Sequence, residues 1–274
     1  MGVVSVLPGG SSASFPSSSR HRRAKRGVVR GWTADAARRM VQFLWSVDTE
    51  RLSGQGFAVT LTVGVTPDSS TDWADARALL LQWLRDRHAV RWQWLTEWTR
   101  RGRPHMHLCV YGDVRPEELA LAWLRICQSR GWDATWRAQT VEPLHDVDGW
   151  LKYVAKHSAR GVDHYQRDTP PEGWLTTGRL WGRGGDWPVA EPFKIALTSG
   201  QTFAFMGHFV SWQATRMRSE GVPEEVVRDY VDRASAGIGH HDIRGLSGWI
   251  PYAECVKLLL LVTESPDWGA IESE

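Results

Sequence analysis

The sequence predicts an α+β fold, with an antiparallel central sheet covered on one side by helices in a split βαβ arrangement and a helical C-terminal appendage. Three observations predict it. Between residues 57 and 158, short apolar runs and stretches of helical periodicity follow one another in the order β-α-β-β-α-β-α. Two of those runs are joined only by an Arg/Gly turn, which makes them a hairpin. From about residue 200 the pattern is helical again.

Residues 57–63 (FAVTLTV) form a β-branched, apolar run between Gly56 and Gly64 and read as a buried strand. From Asp72 to His88 the apolar positions Trp73, Ala76, Leu80, Trp83 and Leu84 recur at helical spacing after a Thr-Asp start. Residues 90–99 and 104–111 are the two hairpin strands, separated by Arg100-Arg101-Gly102-Arg103. A helix over 116–130 opens on Pro116 and closes on Gly131, and 132–141 (WDATWRAQTV) alternates like a strand. A further helix, about 146–158, contains Tyr153. Beyond Gly161 the chain is rich in Gly, Pro and Trp and reads as turns; 201–219 and 222–236 then form a helical hairpin joined near Gly221-Val222-Pro223.

A chain of 274 residues has room for one substantial core and a smaller appendage. The expected division is a disordered basic tail over 1–30, a main domain over 31–190 and a helical region over 191–274. With 42% hydrophobic and 23% charged residues the composition is that of a globular protein. Positive charge is carried mainly by arginine, since lysine occurs only at Lys25, Lys152, Lys156, Lys194 and Lys257. Arginine and the 17 tryptophans suit phosphate contacts and base stacking, although a general compositional bias produces the same counts. Cys109, Cys127 and Cys255 are odd in number and show no CxxC spacing, which indicates neither a disulfide framework nor a cysteine zinc site and fits a reducing, cytoplasmic setting. No apolar run approaches the ~20 residues of a membrane span, so no membrane partner is expected. The absence of a GxxxxGK loop argues against a fused ATP-driven helicase.

His105-Met106-His107 lies in a predicted strand, where residues i and i+2 share a face, so both imidazoles project together. Glu97 on the preceding strand is the natural third ligand, and the turn length decides whether it reaches. A three-residue loop, with Gly102 in the left-handed position that ends such turns, puts Glu97 opposite His105; an even-numbered loop turns it away. Two imidazoles and one carboxylate leave coordination positions open, as a catalytic divalent metal requires. A lone His-x-His in a strand is more often filler than a metal site.

The helix over 150–160 (WLKYVAKHSAR) adds a second group, because Tyr153, Lys156 and His157 stand at i, i+3 and i+4 and share a face. A tyrosine with a cation one turn away suits attack on a phosphodiester. The cation helps hold the phosphate or lowers the cost of phenolate, whose ordinary pKa is ~10.

Together these segments resemble the HUH endonucleases, and within them the initiators of rolling-circle plasmids and single-stranded DNA viruses. The matching segments are Phe57-Ala-Val-Thr-Leu-Thr62, Pro104-His-Met-His-Leu108 and Tyr153-Val-Ala-Lys156, within roughly a hundred residues. The resemblance implies a ferredoxin-like HUH fold, His105 and His107 as metal ligands, Glu97 as the third, Tyr153 as nucleophile and Lys156 assisting at the phosphate. Mg²⁺ or Mn²⁺ is the implied cofactor. A second tyrosine one turn from Tyr153 is missing, so the chain resembles the single-tyrosine type.

The implied substrate is single-stranded or hairpin origin DNA, with a host helicase and polymerase as further partners. Arg100, Arg101 and Arg103 at the turn, with Lys152 and Arg160, can follow a phosphate backbone, or can be solvated charges. Trp92, Trp94 and Trp98 share one strand face and read as core rather than as a base platform. Three rival readings stand beside this one. A relaxase or single-strand transposase shares the chemistry, but relaxases typically place the tyrosine ahead of the histidines. A non-catalytic DNA-binding module would leave the histidines without a metal role. A zinc hydrolase would form no covalent intermediate.

Overall fold

A computed structural model describes residues 1–15, 28–145, 147, 149–151, 154, 170–239 and 245–264. The chain divides into two compact units, one comprising Met1–Arg23, Trp45–Asp48 and Val189–Glu274, the other Ala24–Leu44 and Thr49–Pro188.

The larger unit contains the expected split βαβ core. Strand β3 (Gly56–Thr62) leads to helix α2 (Ser70–Asp86), the hairpin β4 (Arg91–Trp98) and β5 (Pro104–Tyr111), helix α3 (Pro116–Ser129) and strand β6 (Thr140–Pro143). With β7 (Trp181–Gly185) added, the sheet order is β6-β3-β5-β4-β7, and each neighbouring pair is antiparallel. The order 4-1-3-2 among the first four of these strands is the ferredoxin-like topology implied by the resemblance.

The helices start where local chemistry satisfies their free N–H groups. Ser69 caps α2 by accepting from the Asp72 amide, and Pro116 opens α3, where a missing N–H costs nothing. Gly131, with φ of 68°, ends α3. Helices α2 and α3 cover one sheet face, and that face is where the strand tryptophans go. Trp92, Trp94 and Trp98 are buried there with Val59, Leu61, Met106 and Leu108. The Trp73 indole donates to Thr96 Oγ1 at 3.1 Å and packs edge-on against Trp123, 5.4 Å between ring centroids. A buried indole removes ~150–250 Å² from water, ~4–6 kcal/mol at ~25 cal/mol/Å² as an upper bound.

Five features differ from expectation. Residues 132–141 do not form one strand: Trp136–Ala138 make a 3-10 turn, and only Thr140–Pro143 pair with β3. The Gly/Trp-rich stretch read as turns contains β7, whose glycines are required by close approach. A Cβ at Gly182 or Gly184 would lie 2.8 or 2.4 Å from the indole of Trp94 or Trp92 across the ladder. Helix α1 (Ala34–Ser46) was not anticipated. Its Phe43 stacks on Trp181, which shares the sheet face of Leu95, so the face opposite α2 and α3 is also covered near β7. The fourth and fifth differences are in the smaller unit.

There, the first half of the segment expected to be a disordered tail forms a hairpin, β1 (Gly2–Leu7) and β2 (Gly10–Ser14), with Pro8-Gly9 at the turn. Residues 16–27 lie outside the described part. The C-terminal region is also not purely helical. Strands β8 (Phe193–Leu197) and β9 (Gly245–Trp249) flank the hairpin in the order β8-β1-β2-β9. Helices α4 (Ser199–Ser219), α5 (Glu224–Gly239) and α6 (Tyr252–Thr263) complete it, and the expected helical hairpin corresponds to α4 and α5. Val4, Val6, Leu197, Phe205, Phe209 and Val262 form its core. No helix among the described residues is long and apolar enough to cross a membrane.

Candidate metal centre

The hairpin turn sets the geometry of the site. Trp98 pairs with Pro104, the Thr99 amide donates to the Arg103 carbonyl at 2.8 Å, and Gly102 at φ of 71° closes a loop of Arg100, Arg101 and Gly102. Of the two loop lengths considered, the structure has the three-residue one. Glu97 therefore lies directly opposite His105, and Leu95 opposite His107. On the other side of β5, Thr62 faces His105 and Thr60 faces His107. All of these side chains project from the sheet face that α2 and α3 leave uncovered.

Glu97, His105 and His107 are 0, 7 and 6% exposed. One ligand atom from each lies within 4.8 Å of the others. The Glu97 Oε2 to His107 Nε2 distance is 3.8 Å, and the two imidazoles stand nearly perpendicular with ring centroids 4.9 Å apart. The donor set fits a divalent ion: a carboxylate taken out of water is costly, and a cation shared with two neutral imidazoles offsets that cost. Thr60 Oγ1 meets His107 Nδ1 at 3.1 Å, which leaves Nε2 on the side of Glu97.

The turn arginines border two clefts. Arg100 and Arg101 line one of about 750 Å³, whose other walls include Thr66, Asp68 and Glu172. Arg101 and Arg103 line a second, of about 350 Å³, together with Thr62, Asp133 and Thr135. One wall of the second cleft is Thr62, which pairs with His105 on the β3–β5 ladder.

Tyr153, Lys156, Lys152 and Arg160 lie outside the described residues. On either side of the tyrosine position, Leu151 and Val154 are helical and buried. Tyr111, on the same face of β5 as the histidines, is a poor nucleophile: it is 3% exposed, and burial, with Cys109 adding to it, pushes its phenol pKa up, only partly opposed by Arg91. Tyr230 and Tyr252 belong to helices of the smaller unit.

Sequence reasoning left Thr60 without a role. The Thr60/Thr62 alternation is visible in the sequence, but which rung meets His107 depends on the long-range pairing of β3 with β5. The clefts beside the turn had no sequence signal, because their far walls come from segments 30 or more residues away.

The sequence model of the family described as "Replication-associated protein ORF2/G2P" matches residues 56–161, the segment holding the trio and Tyr153. Two proteins of Xylella fastidiosa named for a replication role, from strains 9a5c and Temecula1 / ATCC 700964, are each 40% identical over 234 residues. The alignments span 81% of this chain and 82 and 88% of the relatives. The replication-associated protein G2P of Pseudomonas phage Pf3 is 32% identical over 258 residues, 86% of this chain and 87% of the phage protein. No solved structure matches.

Proposed function

The chain belongs to the ORF2/G2P family of replication-associated proteins, rolling-circle initiators, and from that premise we propose that it starts replication of a plasmid or phage by nicking single-stranded or hairpin origin DNA through Tyr153. The observation that carries the proposal is the buried Glu97–His105–His107 trio, with ligand atoms within 4.8 Å of one another. Its two histidines lie on β5, between β4, which carries Glu97, and β3, whose register sets Thr60 and Thr62 beside them.

Glu97, His105 and His107 would hold Mg²⁺ or Mn²⁺, which when bound would supply Lewis-acid polarisation of the scissile phosphate. The Tyr153 phenol oxygen attacks phosphorus; the new P–O bond forms as the P–O3′ bond breaks, and the phenol proton passes to the departing 3′ oxygen. Lys156 steadies the phosphate. The products are a 5′-phosphotyrosine and a free 3′ hydroxyl. Attack by a 3′ hydroxyl on the phosphotyrosine reverses the step and rejoins DNA without ATP. The free 3′ end primes a host polymerase, and a separate helicase supplies unwinding, since the sequence has no GxxxxGK loop.

Catalysis is assigned to the unit built from Ala24–Leu44 and Thr49–Pro188, working in the cytoplasm. Arg100, Arg101 and Arg103 contact the strand as it runs through the clefts beside the turn, and Lys152 and Arg160 are further candidates for phosphate contacts. The order of the motifs, tyrosine after histidines, favours an initiator over a relaxase.

The test uses a labelled oligonucleotide carrying the origin, with Mn²⁺. Wild-type protein forms a covalent adduct, and Tyr153→Phe binds the DNA without forming one. An adduct of undiminished yield with Tyr153→Phe would contradict the assignment.

A further inference from the structure

Thr60 stands directly opposite His107 on the β3–β5 ladder, and its hydroxyl lies 3.1 Å from His107 Nδ1. The two nitrogens of an imidazole flank Cε1 and their bonding directions diverge, so anchoring Nδ1 fixes the direction in which Nε2 points. In this structure that direction is toward Glu97, with 3.8 Å between Nε2 and Oε2. We propose that Thr60 is a positioning residue of the metal centre, which holds the His107 ring so that Nε2 is the ligand atom. The inference rests on the metal reading of the trio.

The hydrogen bond does more than orient the ring. An imidazole can give the Nε2 lone pair to a cation only when its proton is on Nδ1. A proton on Nδ1 needs an acceptor within the buried site, and the Thr60 oxygen provides one. A hydroxyl suits this position because it also donates when Nδ1 is unprotonated, so the ring keeps a partner with or without the ion. Outer partners of this kind typically set metal affinity by ~10–100-fold.

Thr62, two residues along the same strand, shows that the role is not general to the threonines of β3. It faces His105, but its hydroxyl donates to the Ala138 carbonyl at 2.9 Å, tying β3 to the 3-10 turn before β6. Two threonines on one face thus have different commitments, and their valine variants separate a metal effect from a packing effect. Valine keeps the β-branched shape of threonine and removes only the hydroxyl.

The experiment titrates Mn²⁺ into full-length protein without DNA, following free Mn²⁺ by electron paramagnetic resonance. Thr60→Val is expected to weaken binding by ~10–100-fold, while Thr60→Ser and Thr62→Val stay close to wild type. A second readout needs no variant: ¹⁵N spectra of the histidine rings in Mg²⁺-loaded wild type should show His107 protonated at Nδ1 and coordinated through Nε2. Thr60→Val binding Mn²⁺ as tightly as wild type, or a His107 proton found on Nε2, would overturn the proposal. If wild type itself binds no Mn²⁺, the metal reading and this inference fall together; if wild type binds and Thr60→Val binds equally, only the role of Thr60 is lost.

Discussion

Glu97 and His105 occupy one rung of the β4–β5 ladder, so their side chains leave the sheet on the same face and in register. Directly opposed Cβ atoms are ~4.5–5.5 Å apart, short enough for one ion to be shared. The rung is fixed from nine residues of sequence, 97–105: one strand end, a three-residue turn and the next strand start. A shift of one residue would move Glu97 to the face occupied by α2 and α3.

Gly102 is therefore the residue on which the register turns. Nothing lies within 4 Å of a Cβ built there, so Gly102→Ala is opposed only by its φ of 71°. The expected loss is ~1–2 kcal/mol, the cost of a left-handed conformation for a residue with a side chain. Urea unfolding of the two proteins measures it.

Glu97 supplies the charge of the trio, and Glu97→Gln removes that charge while keeping the shape. Wild type at a Mn²⁺ concentration 100 times the Kd is expected to gain about 2.7 kcal/mol of stability, read as a rise in Tm. The rise should vanish in Glu97→Gln and in His105→Ala, and persist in Trp136→Ala, whose side chain is exposed and outside the site.

The arginines of the turn should act on DNA affinity rather than on chemistry. Arg101→Ala is expected to weaken binding of single-stranded DNA and to reduce the salt dependence of log K by roughly one charge's share, a slope change of ~0.7. Fluorescence anisotropy over a salt series reports it. An unchanged slope would make Arg101 a solvated turn residue, despite its place on both clefts.

Much of this was legible in the sequence because the deciding signals are local. The hairpin, its turn and the His-x-His alternation lie within 104–111 and the dozen residues before it, and Gly102 alone signals the left-handed position. Helices α2 and α3 follow from apolar spacing and from Pro116 and Gly131. What was lost depends on distant partners or on composition. The β1–β2 hairpin carries a Pro8-Gly9 turn after a Val-rich run, but a serine- and arginine-rich stretch follows it, and its partner strand β8 is nearly 190 residues away. Strand β7 reads as turns because Gly182 and Gly184 make room for Trp94 and Trp92, and only the tryptophans across the ladder explain them. The position of Thr60 beside His107 needed the same long-range register.

The three cysteines give a pH-dependent prediction. Burial holds the Cys127 thiol up at about 12, from 9.0, and pushes Cys109 and Cys255 up as well, with Arg130, Arg91 and Ser11 respectively opposing it. A thiol raised in the folded state holds its proton more tightly folded than unfolded. Its contribution is therefore constant below the unfolded value near 9.0 and falls as pH rises past it. Tm should decline from about pH 8 to about pH 10, with a slope of at most ~1.4 kcal/mol per pH unit per thiol. In native protein at pH 8 the thiols should react with an alkylating reagent only as fast as the chain unfolds.

The most direct measurement is to find the residue that carries DNA. Protein is incubated with circular single-stranded DNA containing the origin and with Mn²⁺, then digested with nuclease and protease and read by mass spectrometry. The peptide containing Tyr153 should bear a nucleotide through its 5′ phosphate, and the modification should disappear when Glu97, His105 or His107 is replaced. DNA cut with no modified tyrosine, or a nucleotide attached to a residue other than Tyr153, would contradict the account.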